Sequence, residues 1–206
     1  MNKIKLVKFT PLTLKKYVEE DEGDATLLWA VRMGYPRIMV YRHNKEKEID
    51  YNKIIIAPFD YVNFSMLVTY LRNVIKSKKP ISYTISCYNV EYKDNVKTDN
   101  IILQATVKVG KDSTGINYIE LSAPNKFTIK FQLLPNIKWH IHDIKDETNC
   151  SVITNAELSN VYSNAYVTLL NKLILEEYSG DGKIEVMLDP PNSKNPITTD
   201  NVEDLI

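Results

Sequence analysis

The sequence predicts an α+β protein in which a unit of four strands and one helix is written twice (ββββα, then ββββα). Antiparallel sheets would pack with the two helices, and an acidic, disordered tail would follow at the C-terminus. Three observations predict it. Short runs alternate apolar and polar side chains with a two-residue period and are separated by turn clusters. Two longer windows instead repeat apolar residues at three- and four-residue steps. The charge then changes sign: residues 181–206 hold six acids against two bases, which leaves 24 bases and 20 acids in residues 1–180.

Taken in order, residues 3–9, 26–33, 37–42 and 53–57 read as strands. Between the first two, Thr10-Pro11-Leu12 has the form of a capped helix start, so a short helix over 10–17 is the alternative there. The first long helix covers 60–75. Phe64, Leu67, Val68, Leu71, Val74 and Ile75 keep helical spacing, Asp60 stands at the cap position, and Arg72, Lys76, Lys78 and Lys79 gather at the end favoured by the helix dipole. Pro80 stops it.

Four further strands follow at 81–92, 100–110, 116–122 and 126–134. Their joints hold Lys93-Asp94-Asn95, a run from Gly110 to Gly115, and Ala123-Pro124-Asn125, all residues that accept tight or left-handed backbone. An irregular, acid-rich connection is expected over 135–155. The second helix runs from about 156 to 178, with Leu158, Val161, Tyr162, Ala165, Leu169 and Leu173 as its apolar side and Gly180 and Gly182 beyond its end. These boundaries divide the chain into a domain over 1–180, with pseudo-repeats at about 1–79 and 80–180, and a flexible tail over 181–206.

Length and composition set the class. A chain of 206 residues, 44 % hydrophobic and 25 % charged, can bury a sizeable core. The start lacks the apolar run of a signal peptide and no stretch reaches the roughly 18 apolar residues of a membrane span, so a cytoplasmic protein (host cytoplasm if viral) with no membrane partner is expected. Cys87 and Cys150 have no metal-like spacing and read as small hydrophobes.

At residue level two segments carry a family resemblance. Lys53-Ile54-Ile55-Ile56-Ala57-Pro58-Phe59-Asp60 runs an aliphatic strand straight into a helix that carries Phe64 and Leu67. The stretch from Gly110 through Lys111, Asp112 and Tyr118 to Leu121 is a lysine-containing hairpin leading into a paired strand. With the twofold order of elements, these make the chain resemble the Whirly and positive cofactor four superfamily of single-stranded DNA-binding proteins, phage members included. The resemblance implies a non-catalytic protein that coats or protects single-stranded DNA in replication or recombination, a homo-oligomer, and an acidic tail that recruits replication or repair proteins.

Candidate contacts come from alternation. Leu103, Ala105, Val107 and Val109 alternate with Gln104, Thr106 and Lys108, and Phe127, Ile129, Phe131 and Leu133 alternate with Lys126, Thr128, Lys130 and Gln132. Lys108, Lys111, Lys126 and Lys130 are therefore expected to share one polar face, with Tyr118 beside them. Arg37, Tyr41 and Arg42 offer a second group, and Lys138 and Trp139 a third in the irregular connection. Cations track phosphates while aromatic faces stack unpaired bases, so single-strand binding needs both kinds of residue. For any one lysine the ordinary role is a solvated sheet face.

Catalytic motifs are missing: no Gly-rich phosphate loop, nucleophile elbow or His-Glu-x-x-His helix occurs. His140-Ile141-His142-Asp143 is the one metal-like constellation and lacks further ligands at useful spacing, so neither metal nor cofactor is expected. The tail closes on Asp200, Glu203, Asp204, Leu205 and Ile206. Tethered to a weakly basic body, it is expected to compete with nucleic acid for the basic surface and to dock partner proteins through its apolar end. The plainer role is a solubilising terminus, and the rival function is a non-enzymatic protein-binding module, such as a phage structural or host-takeover protein.

Overall fold

The structure, a computed structural model, describes residues 6–8, 12–16, 24–32, 34–43, 49, 54–93, 96–135, 142–146 and 149–178. Two antiparallel sheets, each four strands wide, pack with two helices in an α+β arrangement. In the first sheet β3 (Ala25–Arg32) pairs with β4 (Tyr35–Arg42), and β4 with β5 (Ile55–Pro58). The far edge of β3 is shared end to end by β1 (Leu6–Lys8) and β2 (Leu14–Lys16): Leu6 to Lys8 pair with Arg32 to Ala30, and Leu14 to Lys16 with Leu27 to Ala25.

A short helix over 10–17 is therefore corrected to an interrupted edge strand in its second half. Leu12 and Leu14 are buried, and Leu14 lies opposite Leu27, so pairing to β3 overrides the local helix-start signal. All eight residues of β3 are buried, which is why its sequence, Ala-Thr-Leu-Leu-Trp-Ala-Val-Arg, shows no clean alternation.

Helix α1 (Tyr61–Lys76) begins where the sequence predicts. Asp60 accepts from the Asn63 backbone N–H at 2.7 Å, and the six apolar residues expected to face inward are all buried. Phe64 meets the Trp29 ring edge to face, 6.0 Å between centroids at 80°, an arrangement that contributes about 0.5–1.5 kcal/mol beyond burial. The helix packs against β4, β6 (Ile81–Lys93) and β7 (Val96–Lys111).

The second sheet runs in order β6, β7, β8 (Asn117–Ser122) and β9 (Thr128–Gln132), a meander of hairpins with its joints at the predicted turns. In the β7–β8 turn the Asp112 carboxylate accepts from the backbone N–H groups of Thr114 and Ile116, both at 3.0 Å, while Gly115 takes φ +84°. One core joins both sheets and both helices.

Two expectations fail beyond β9. Part of the connection expected to be irregular forms a hairpin, β10 (His142–Asp146) with β11 (Asn149–Val152). Helix α2 (Asn155–Tyr178) then starts from a capping box in which Thr154 and Glu157 exchange hydrogen bonds. Its inward face is Ser159, Ser163, Tyr166, Val167, Leu170 and Ile174; of the set expected there, Val161, Ala165 and Leu169 are exposed. The helix is turned by roughly a third of a revolution because the two serines answer polar groups below them. Ser159 Oγ donates to the Leu133 carbonyl and accepts from the Asn117 N–H, and Ser163 Oγ accepts from the Asn117 amide.

Among the described residues, no helix is long and apolar enough to cross a membrane.

Candidate nucleic-acid interface

The two sheets turn different surfaces away from the core. On the second, register sets Thr84, Lys108, Glu120 and Lys130 in one row across four strands. Serines and threonines flank it, with Ser86, Thr106, Ser122 and Thr128 in the next row. Lys108 and Lys130 thus share the face that alternation predicts, but Glu120 lies between them and offsets part of their charge.

Three of the expected members of this face are used otherwise. Lys111 has the same strand parity as Val107 and Val109 and points inward; only 6 % exposed, its ammonium donates to the carbonyls of Ile75 and Ser77 and to Asn160 Oδ1 at 3.1, 2.6 and 3.1 Å. It closes the carbonyl end of α1 and is not a surface cation, so its place in the expected nucleic-acid set is corrected. Burial holds its pKa below the ordinary lysine value. Lys126 reaches to the Ile54 carbonyl at 2.5 Å and ties the start of β9 to β5. Tyr118 is 6 % exposed. Its ring lies across Gly110, where a Cβ would come within 2.6 Å of it, and the Lys130 ammonium covers it at 4.1 Å from the centroid. The expectation of an open Tyr118 stacking face is therefore corrected too: the missing side chain at Gly110 makes a seat for the ring. Lys130 also approaches Asp112 at 3.9 Å.

The first sheet is different in charge. Its strands carry Lys8, Lys15, Lys16, Arg32, Arg37 and Arg42 and not one acid; the acids of this half fall in the connections, at 19–24, at 46–50 and at Asp60. Alternation along β4 places Tyr35, Arg37, Met39 and Tyr41 on the face opposite Ile38 and Val40, beside Arg32, Ala30, Leu28 and Thr26 of β3, all four of which are buried, and Lys15 follows in line with Thr26. Tyr35 is 56 % exposed. Arg37 is half-buried, with Nε lacking a hydrogen-bond partner, and its pKa is lowered to about 10, by burial first and by the neighbouring Arg32 second. Tyr41 bonds to Thr26 and meets the His43 ring edge to face at 5.3 Å; burial raises its pKa.

Arg42, by contrast, has the parity of Ile38 and Val40. Its guanidinium sits 4.2 Å over the Phe127 ring, between the sheets rather than beside Arg37 and Tyr41. Lys138 and Trp139, and the tail residues Asp200, Glu203, Asp204, Leu205 and Ile206, lie outside the described residues, as do the side chains of His140, His142 and Asp143.

Sequence reasoning missed Tyr35, Arg32 and Lys15. The signal was present for the first, since Tyr35 has the same parity as Arg37 and Tyr41; Arg32 and Lys15 needed the β2–β3–β4 register. It also missed Glu120, which only the register of β7, β8 and β9 sets among the lysines. Neither protein-family models nor curated proteins yield a match to the chain.

Proposed function

We propose that this protein binds single-stranded DNA and catalyses no reaction on it, coating or protecting the strand during replication or recombination. The observation that carries the proposal is the face of the first sheet, where Tyr35, Arg37 and Tyr41 alternate along one strand, Tyr35 is exposed, and no strand of that sheet holds an acid. The Arg37 guanidinium is half-buried with its Nε lacking a hydrogen-bond partner, and a phosphodiester would give it both a counter-charge and an acceptor. An exposed tyrosine ring alongside supplies a stacking face at about 1–3 kcal/mol per base. Paired bases in a duplex present no free face to it, which favours single strands.

The resemblance to the Whirly and positive cofactor four superfamily supports the same proposal and extends it to a homo-oligomer in the cytoplasm, that of the host if the chain is viral. Replication or repair proteins would dock on the acidic tail. Lys108 and Lys130 form a secondary cationic track on the other sheet. The test is a titration of the full chain with fluorescent oligo-dT, single-stranded and duplexed, across a salt series.

A second proposal, a non-enzymatic protein-binding module such as a phage structural or host-takeover protein, draws on Glu120 standing between Lys108 and Lys130, since mixed charge suits a protein surface better than a polyanion. Glu120→Gln separates the two. Tighter oligonucleotide binding supports a DNA track on that face, whereas no change leaves the second sheet free for a protein.

A further inference from the structure

The row that builds the candidate face does not stop at the end of β4. After Tyr35, Arg37, Met39 and Tyr41 the same alternation brings His43, which is half-buried. Its backbone is held on both sides: the N–H donates to the Asp24 carbonyl at 2.8 Å, which carries the pairing with β3 one residue further, and a bridge joins it to Ile49. The ring has a fixed neighbour in Tyr41, with 81° between the two planes. A rise of about 3.3 Å per residue makes the row from Tyr35 to His43 about 26 Å long. A single strand laid along it meets an aromatic ring or a cation at every step but Met39.

We propose, resting on the reading of this face as the DNA surface, that His43 is a further phosphate contact at the end of the row, made only when its imidazole is protonated. Imidazole is the side chain that changes charge between about pH 5 and 8. The charges around it give the change its sign. Asp24 stands directly opposite, the Tyr41 hydroxyl precedes it on the same strand, and Lys15 of β2 lies one row along, in line with Thr26 and Tyr41; Ile49 brings no charge, and residues 44–48 lie outside the described residues. While the imidazole is neutral, Asp24 repels a phosphate from this end of the row. Once protonated, the imidazolium offsets that carboxylate and has N–H donors for a phosphate oxygen. Protonation and strand binding therefore favour each other.

The experiment is a titration of the full chain with fluorescent single-stranded oligo-dT, whose bases take up no proton in this range, at about pH 8 and about pH 5.5, with circular dichroism at both to show that each protein is folded. The wild type should bind about three- to tenfold more tightly at the lower pH, with a salt slope steeper by about 0.7. His43→Gln should lose that response and match the wild type near pH 8, while His43→Arg should hold the tighter affinity at both. His140→Gln/His142→Gln, which removes the other two histidines, should respond as the wild type does. A wild type that binds but does not tighten on acidification, a full response in folded His43→Gln, or a response lost in His140→Gln/His142→Gln overturns the proposal and leaves DNA binding in place. No binding at either pH overturns both.

Discussion

The indole N–H of Trp29 donates to the hydroxyl of Tyr166 at 2.7 Å, across 137 residues of chain, and that hydroxyl donates in turn to the Leu12 carbonyl at 2.8 Å. One buried phenol thereby fastens the central strand of the first sheet and the turn before its edge strand to the last helix.

Removing that oxygen should be costly. Tyr166→Phe keeps the ring but leaves an indole N–H and a carbonyl unpaired in the core, so stability to denaturant should fall by about 1–3 kcal/mol with the slope unchanged. Burial, the leading cause, raises the Tyr166 pKa far above the ordinary 10.0. The unfolded chain therefore loses this proton first as pH rises past about 10, and the folded state loses stability from that point upward. Tyr166→Phe should lose less stability between pH 9 and 11 than the wild type, measured by urea unfolding at each pH.

Lys111→Met should also destabilise the fold, by about 1–3 kcal/mol, because two carbonyls at the end of α1 and Asn160 Oδ1 lose their donor. Oligonucleotide affinity, measured where the variant is folded, should stay within about twofold. A large loss of affinity in a folded variant would return Lys111 to the binding surface.

Gly110→Ala should unseat Tyr118, since the added Cβ lies 2.6 Å from its ring and 2.9 Å from the Ile81 carbonyl. Overpacking of this kind costs about 1–3 kcal/mol, read as a lowered unfolding midpoint. Gly110→Ala/Tyr118→Ala removes the ring and relieves that clash, so the alanine at 110 should cost less in the Tyr118→Ala background than in the wild type.

Tail truncation after Pro196 removes Asp200, Glu203, Asp204, Leu205 and Ile206. If the tail competes for the basic face, single-strand affinity should rise on truncation, most at low salt, where charge contacts are least screened. Affinity that does not move would leave the tail as a solubilising terminus.

Much of this fold was legible because local chemistry and tertiary contacts agree. Asp60 and the Phe64 to Ile75 spacing mark α1, and the turns at Asp112 to Gly115 and Pro124-Asn125 mark the meander. Where polar residues face inward, pattern reading fails: Ser159 and Ser163 hide the buried face of α2, and Lys111 was grouped with surface lysines despite sharing parity with Val107 and Val109. Arg42 shows the same error, since its parity follows Ile38 and Val40. The site was less legible than the fold, because Tyr35, Arg32 and Lys15 meet only through pairing between strands, which one strand's alternation does not reveal.

The central claim is that single-stranded DNA lies on the Tyr35 and Arg37 face, and one anisotropy titration with labelled oligo-dT tests it most directly. Wild-type protein is compared with Tyr35→Ala/Arg37→Ala and with Lys108→Glu/Lys130→Glu, each verified as folded by circular dichroism, with a duplex of equal length as competitor. The wild type should prefer the single strand and weaken steeply with salt. Tyr35→Ala/Arg37→Ala should lose at least the 1–3 kcal/mol of one stacked base, with a salt slope smaller by about one, while Lys108→Glu/Lys130→Glu loses less. No binding by the wild type at low salt, equal affinity for duplex, or full affinity in Tyr35→Ala/Arg37→Ala would contradict the claim.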